Sequence, residues 1–134
     1  SKTLDSYSKN GYIRYKTIDG EFDDDTYTND SPTSGFPNFT DSVTCRYKGW
    51  YINADGKEIT FDSTEDDYNK QQGATFIVNG VIDGWATMLQ AMEEGDETEV
   101  CIPYILAYGS SGSGSIPAYT TLFFKMKLLK IKRN

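Results

Sequence analysis

Five stretches of the chain alternate between apolar and polar residues with a period of two, the period of a β-strand whose faces meet different surroundings. They cover residues 11–18, 42–52, 60–63 continued by 74–78, 97–105 and 120–132. A polar segment divides the third stretch, so we expect its two pieces to form one sheet edge around a surface bulge. Asp55-Gly56, just before this stretch, is a strong signal for a hairpin turn. The pattern predicts about five antiparallel strands.

The apolar pattern changes face near the end of the last strand. One set of residues shares a face at first, and these are Leu122, Phe124, Met126 and Leu128. Leu129 and Ile131 continue the apolar pattern from there, one residue out of step. A slip of one residue turns every later side chain to the other face, so we expect a bulge or a change of face near Leu129.

Residues 80–96 alone have a convincing helical period. Their apolar stripe recurs at i, i+3, i+4 and i+7, and consists of Trp85, Met88, Leu89 and Met92. Asp83 is a fair N-cap, and Gly95 is placed to end the helix in a left-handed conformation. A short amphipathic helix needs a sheet to lie on. The sequence thus predicts an α+β fold, in which a twisted antiparallel sheet of about five strands wraps around one short amphipathic helix.

Two polar segments lie outside this pattern. Residues 1–10 are interpreted as a flexible leader, which leaves residues 11–134 as a single domain. Residues 19–40 are rich in Asp, Thr, Ser, Gly and Pro and form an acidic loop longer than a compact domain usually needs. The run Asp23-Asp24-Asp25 within it is more typical of a solvated acidic loop than of a calcium site.

Composition excludes several classes of function. The 134 residues carry a formal charge of −7 and have a pI near 4.5, so nucleic acid and anionic membrane surfaces would be repelled. The apolar runs are too short to cross a bilayer, so we expect no transmembrane segment. The absence of His removes the usual triads and metal-histidine sites. Carboxylates remain as acid-base candidates, but solvation explains most of them, so a hydrolase is a distant alternative. We expect no metal and no cofactor.

Six aromatic residues lie on elements that one sheet and one helix would bring together: Tyr47, Phe61, Phe76, Trp85, Tyr108 and Phe124. Core packing explains most rings at such positions. Two of the six are tyrosines with hydroxyl groups, however, and Asp62 directly follows Phe61 at a strand end. Rings with a few polar tips are also the usual lining of a small-molecule or peptide-binding cavity. The residues alone leave both interpretations open.

The order of short motifs from residue 81 to residue 131 resembles the carboxy-terminal half of the FKBP-type peptidyl-prolyl cis-trans isomerases. They are a Val-Ile pair, a Gly-Trp that opens a helix, Gly-Asp, Ile-Pro, Ala-Tyr-Gly, a glycine-rich loop, a second Ile-Pro and a Leu-x-Phe strand. Upstream, VTCRYKGWYINADGKEITFDST is similar to the family's Tyr-x-Gly, Asp-Gly-Lys and Phe-Asp-Ser segment. The resemblance covers roughly residues 41–132, and so many ordered motifs make it specific.

The resemblance implies a pocket lined by ten residues, which are Tyr47, Phe61, Asp62, Phe76, Val81, Ile82, Trp85, Tyr108, Ile116 and Phe124. Trp85 would form its floor, and the Ile82 N–H and Tyr108 hydroxyl would bond to ligand carbonyls. Asp62 would accept a hydrogen bond at the edge. We therefore assign catalytic roles to Tyr47, Asp62, Ile82 and Tyr108, and substrate binding to the other six. Three departures from the family pattern are expected around the rim: Ala74, Leu106 and Ala118.

The activity implied by the resemblance is acceleration of X-Pro bond rotation in proline-containing polypeptides, without covalent chemistry. The alternative is a non-catalytic FKBP-like binding or chaperone module. The resemblance also implies macrolide ligands, and we expect a monomer. The Gly/Ser run at 109–115 becomes a flexible wall of the pocket.

Two further expectations concern the cysteines and the compartment. Cys45 and Cys101 would lie on strands that are not neighbours in the family's sheet, so free thiols are expected. The chain begins at Ser1 without a Met, which is compatible with removal of a signal peptide upstream. Together with the loop-rich extension, this start favours a bacterial periplasmic or envelope location.

Overall fold

A computed structural model of the chain describes residues 1–22, 27–66 and 72–134. This part of the chain contains seven strands, one α-helix and two single turns of 3₁₀ helix. The strands are β1 (Lys2–Asp5), β2 (Tyr12–Ile18), β3 (Ser42–Ile52), β4 (Glu58–Ser63), β5 (Ala74–Ile77), β6 (Glu97–Ile102) and β7 (Leu122–Lys132). The helix α1 is Asp83–Leu89, and the 3₁₀ turns are Val78–Gly80 and Tyr104–Leu106.

The strands form one sheet in the order β1-β2-β6-β7-β3-β4, and β5 pairs with β3 beside β4. Every pairing between these strands is antiparallel. The predicted α+β class is confirmed, with more strands than expected because the divided edge counts as two and β1 is added. β4 pairs with residues 48–52 of β3 and β5 with residues 42–45, so the divided edge is confirmed as well.

The change of face in β7 is a bulge. Thr44 pairs with Lys130 and Cys45 with Leu128, which leaves Leu129 as an extra residue between two paired positions. Leu128 and Leu129 are both buried. The one-residue slip predicted from the sequence is therefore confirmed, and the extra residue keeps Ile131 in the same core as Leu128.

Helix α1 is shorter than its apolar stripe and begins differently from the prediction. Asp83 is its first residue rather than its N-cap, and the N-cap is Ile82, which makes no side-chain capping bond. The Asp83 carboxylate instead accepts hydrogen bonds from the hydroxyls of Thr87 and Ser8. The helix ends at Leu89, while Gly95 has its left-handed conformation (φ +92°) in the turn before β6. Both predicted caps were wrong in position, because tertiary contacts set the ends of so short a helix.

The core lies between one face of the sheet and α1, whose residues from Gly84 to Leu89 are all buried. Side chains alternate along β3, so Tyr47 and Tyr51 face this core. Trp50 lies on the opposite face, where its ring stacks on Phe123 of β7 with centroids 5.8 Å apart. The two tryptophans, Trp50 and Trp85, therefore occupy different surroundings.

Residues 1–10, which we interpreted as a flexible leader, contain strand β1 and contacts to the rest of the fold. Leu4 of β1 pairs with Ile13 of β2, and Ser6 is fully buried. The Tyr7 N–H then donates to the Thr87 hydroxyl of α1 over 3.1 Å. Backbone pairing along a sheet edge needs no apolar pattern, which is why β1 leaves no signal in the sequence.

Two carboxylates attach the acidic loop to the sheet. Glu97 of β6 is buried and accepts hydrogen bonds from the backbone N–H groups of Gly20 (3.2 Å), Glu21 (2.9 Å) and Phe22 (3.3 Å). Glu94 accepts hydrogen bonds from the Thr33 N–H (2.8 Å), the Asn29 side-chain amide (2.8 Å) and the Ile131 N–H (2.7 Å). The loop is thus docked on both sides of residues 23–26, and the Asp23-Asp24-Asp25 run lies outside the described residues.

Both cysteines are free, as predicted. Cys45 lies on β3 and Cys101 on β6, and β7 runs between these strands. Burial raises the pKa of both thiols, and Cys45 is fully buried. Within residues 1–22, 27–66 and 72–134, no helix has the length and apolar character needed to cross a membrane.

Gly49→Ala is expected to destabilise the protein by about 1–3 kcal/mol, because the site has no room for a methyl group. A Cβ at Gly49 would lie 2.6 Å from Cε1 of Phe124 and 2.8 Å from Cζ of Phe61. Urea denaturation measures the loss. Gly11→Ala is the control, since its nearest neighbours would lie at an ordinary 3.6 Å. Equal stability of the two variants would contradict the packing described for β3.

Attachment of the acidic loop should weaken in acid. Burial raises the pKa of Glu94, but the hydrogen bonds from Ile131, Thr33 and Asn29 and the charge of Lys130 together outweigh burial and hold the pKa below its ordinary value of 4.5. A carboxyl whose folded pKa is lowered stabilises the fold above its unfolded pKa, and that contribution is lost as pH falls through the folded pKa. The free energy of unfolding of wild type should therefore exceed that of Glu94→Gln at neutral pH, and the difference should shrink below about pH 4.5.

Urea denaturation of both proteins from about pH 7 to about pH 3 measures this difference. Glu93→Gln, an exposed change at the neighbouring position, controls for the loss of one negative charge. A wild-type advantage that stays constant over the whole range would show that the Glu94 carboxylate does not hold the loop.

Candidate active site

A cavity of about 280 Å³ opens between the sheet and the start of α1. Its lining combines aromatic rings, aliphatic side chains and a small number of polar tips: Tyr47, Phe61, Asp62, Phe76, Gly80, Val81, Ile82, Trp85, Tyr108 and Phe124. The volume is close to the lower limit of roughly 300 Å³ for small-molecule sites. A cavity of this size and composition suits one compact apolar group with polar atoms beside it.

Trp85 lies at the centre of the aromatic lining. It is the third residue of α1, and its indole meets three rings from three different strands. The ring centroids of Tyr47, Phe76 and Phe124 lie 5.0, 5.3 and 5.4 Å from that of Trp85, all with edge-to-face geometry. Edge-to-face pairs at these distances are favourable beyond the burial of area. Trp85 is only 4% exposed, and its Nε1–H has no hydrogen-bond partner among the described residues.

Tyr47 and Asp62 form the polar side of the cavity. The Tyr47 hydroxyl on β3 donates a hydrogen bond of 2.6 Å to Oδ2 of Asp62 on β4. Burial, followed by the bond to the Asp62 carboxylate, raises the pKa of the Tyr47 phenol far above its ordinary value. Tyr47 therefore stays neutral and remains a donor, while Asp62 is held as an acceptor at the mouth of the cavity.

Thr64 fixes the backbone of Tyr47. The Tyr47 N–H donates to the Thr64 hydroxyl at 2.8 Å, and the Thr64 N–H donates to the Tyr47 carbonyl at 2.9 Å. Beside them, Arg46 makes a two-point ion pair with Glu65. Thr64 and Glu65 thus bond to the part of β3 that lies between its pairing with β5 and its pairing with β4. Sequence reasoning missed Thr64 because a side chain that bonds to backbone leaves no mark in the apolar pattern.

Besides the Trp85 Nε1–H, two hydrogen-bond donors on residues that line the cavity have no partner among the described residues. Ile82 is extended (φ −57°, ψ 152°), and its carbonyl accepts the first helical bonds from Trp85 and Ala86 at 3.0 Å each. Its own N–H makes no bond to the described residues. Tyr108 is 38% exposed at the rim, and its hydroxyl is likewise unbonded. A bound carbonyl could accept from either donor without displacing an internal bond.

Nine of the ten residues named from the sequence line this cavity, and their catalytic and binding roles remain predictions. Ile116 does not line it, because its side chain turns inward and is buried in the core. Gly80 lines the cavity and was missed, since a residue without a side chain gives no periodic signal. Leu106, expected at the rim, is also buried in the core.

A search of known protein families matches residues 33–129 to the model of the FKBP-type peptidyl-prolyl cis-trans isomerases. The match extends from the acidic loop to the bulge of β7 and includes every residue that lines the cavity.

Among curated proteins, the chain is similar to two isomerases of Escherichia coli K12. It is 38% identical to the FKBP-type peptidyl-prolyl cis-trans isomerase FkpA over 96 residues, which are 72% of this chain and 33% of FkpA. It is 44% identical to the FKBP-type 22 kDa peptidyl-prolyl cis-trans isomerase over 96 residues, 71% of this chain and 43% of that protein. The chain thus spans about one third to two fifths of the length of these relatives.

Two solved structures share the fold. The crystal structure of FkpA from Escherichia coli superimposes with a TM-score of 0.70 at 31% identity, over 98% of this chain and 53% of that one. A peptidyl-prolyl cis-trans isomerase from Pseudomonas syringae pv. tomato gives a TM-score of 0.68 at 26% identity, over 98% of this chain and 81% of that one. The motifs, the fold and these relatives agree: the chain belongs to the family of FKBP-type peptidyl-prolyl cis-trans isomerases.

Proposed function

We propose that this protein catalyses cis-trans isomerisation of X-Pro bonds in proline-containing polypeptides. The observation that carries the proposal is the ring-lined cavity with Trp85 at its centre and two unbonded donors, the Ile82 N–H and the Tyr108 hydroxyl, beside it. Membership of the family supports the reaction. Macrolide ligands, which the family resemblance implies, would occupy the same cavity.

The reaction fits a site without a nucleophile or a histidine. Rotation about the C–N bond passes through a twisted amide that has lost its resonance, with a barrier of roughly 18–20 kcal/mol. No covalent bond forms or breaks, so no proton has to be transferred. The twisted amide has less charge separation than the planar one and depends less on water. A dry aromatic cavity therefore disfavours the planar ground state relative to the twisted state.

The lining divides into two roles in this proposal. Aromatic and aliphatic side chains hold the proline ring, and these are Trp85, Phe76, Val81 and Phe124. The Ile82 N–H and the Tyr108 hydroxyl fix the carbonyls on either side of it. With the ring and the flanking carbonyls held separately, binding energy can favour a rotated bond. Each tenfold acceleration requires about 1.4 kcal/mol, so a few such contacts are enough for substantial catalysis.

Trp85→Phe should lower kcat/KM for an X-Pro peptide about tenfold, since a smaller ring leaves part of the floor empty and reduces contact with the proline. Trp50→Phe is the matched control, because Trp50 stacks on Phe123 on the opposite face of the sheet. A protease-coupled isomerase assay measures both variants. If micromolar wild-type protein binds the peptide but does not accelerate its isomerisation, the non-catalytic binding or chaperone module is favoured instead. Equal activity of the two variants would remove Trp85 from the mechanism.

Tyr108→Phe should lower kcat/KM about two- to tenfold, because it removes a single neutral hydrogen bond to the substrate. Tyr104→Phe is a suitable control, since Tyr104 has similar exposure (40%) and does not line the cavity. The same assay, run at several peptide concentrations, separates KM from kcat. Identical kinetics of Tyr108→Phe and wild type would show that the hydroxyl does not contact the substrate.

A further inference from the structure

The Gly/Ser segment that follows Tyr108, residues 109–115, does not line the cavity and is folded by its own backbone. We refer to it as the flap. The Gly112 N–H donates to the Tyr108 carbonyl at 3.1 Å, and Ser113 and Ile116 exchange two hydrogen bonds of 3.0 and 2.8 Å. At the base, the Tyr119 N–H donates to the Gly109 carbonyl at 2.9 Å. These bonds give the flap a defined backbone conformation, although its Gly/Ser composition is typical of a flexible linker.

Gly112 is required because the backbone of Ile116 and Pro117 passes close to it. Its φ is +67°, and a Cβ there would lie 2.4 Å from the carbonyl oxygen of Ile116 and 2.9 Å from the carbonyl carbon of Pro117. Backbone atoms cannot move aside as the end of a side chain can. Glycine at this position therefore permits one tight conformation rather than many loose ones.

Tyr51 connects the flap to the sheet. Its ring lies on the core face of β3, is 8% exposed, and stacks on Phe61 with centroids 6.4 Å apart and an interplanar angle of 29°. Its hydroxyl donates a hydrogen bond of 3.1 Å to the carbonyl oxygen of Ser115, at the end of the flap. Phe61 lines the cavity, so one side chain contacts both the cavity wall and the flap.

We propose that Tyr51 is a positioning residue that keeps the flap in its folded shape before substrate arrives. The ring is fixed by burial, so the hydroxyl offers a donor at a constant place, and the Ser115 carbonyl needs no water to satisfy it. Without that bond the flap has more conformations, and each binding event must order it. The catalytic consequence rests on the proposed isomerase function, whereas the ordering of the flap does not.

Tyr51→Phe tests the proposal, because it removes the hydroxyl and keeps the ring. We expect the Ser113 and Ile116 amides to exchange hydrogen about two- to tenfold faster relative to core amides, as for the loss of one neutral hydrogen bond. KM for an X-Pro peptide should rise by a similar factor. The kcat should change less than about twofold, since Trp85, Ile82 and Tyr108 are unaltered. Tyr12→Phe, an exposed change on β2, is the control.

Hydrogen exchange and kinetics test separate parts of the proposal. Ser113 and Ile116 amides that exchange as in wild type would overturn the role of Tyr51 whatever the kinetics show. Faster exchange with an unchanged KM would overturn the link between flap order and substrate binding. If wild type has no isomerase activity, the proposed function fails, and the exchange rates still decide whether Tyr51 orders the flap.

Discussion

Edge-to-face packing of three rings against the Trp85 indole joins the helix, the sheet and the cavity. Tyr47, Phe76 and Phe124 come from three strands, and their contacts with Trp85 hold the short helix on the sheet. A seven-residue helix has little stability of its own and needs this packing. The same rings form the wall of the cavity. The core and the candidate site are therefore one structure, so changes to the cavity are expected to alter stability as well.

Polar contacts around this aromatic centre serve to place backbone. Thr64 holds both backbone groups of Tyr47, Tyr51 holds the carbonyl of Ser115, and Glu94 and Glu97 hold the acidic loop. In each case a buried or partly buried side chain bonds to backbone that has no strand partner there. This accounts for part of the acidic composition, since two of the carboxylates act as acceptors for loop N–H groups. The excess negative charge is thus partly structural.

The sequence predicted most of the sheet because apolar alternation reports burial directly. The slip at Leu129 even located the bulge, since the apolar positions change there from even to odd residue numbers. β1 was missed because only Leu4 in it is partly buried, so pairing there depends on backbone groups that every residue has. Gly80, Thr64 and Tyr51 were missed for a related reason. Gly80 matters because it has no side chain, and Thr64 and Tyr51 matter because they bond to backbone groups. Neither feature produces a periodic pattern of apolar residues.

The family motifs, by contrast, placed the cavity lining almost completely, because they record which side chains meet rather than which are buried. We infer from this lining that a prolyl ring binds against Trp85. NMR of the two indole N–H signals during titration with an X-Pro peptide tests this inference. The Trp85 signal should shift and show contacts to prolyl ring protons, while the Trp50 signal stays in place. Prolyl contacts at Trp50, or binding that leaves Trp85 unchanged, would contradict the account.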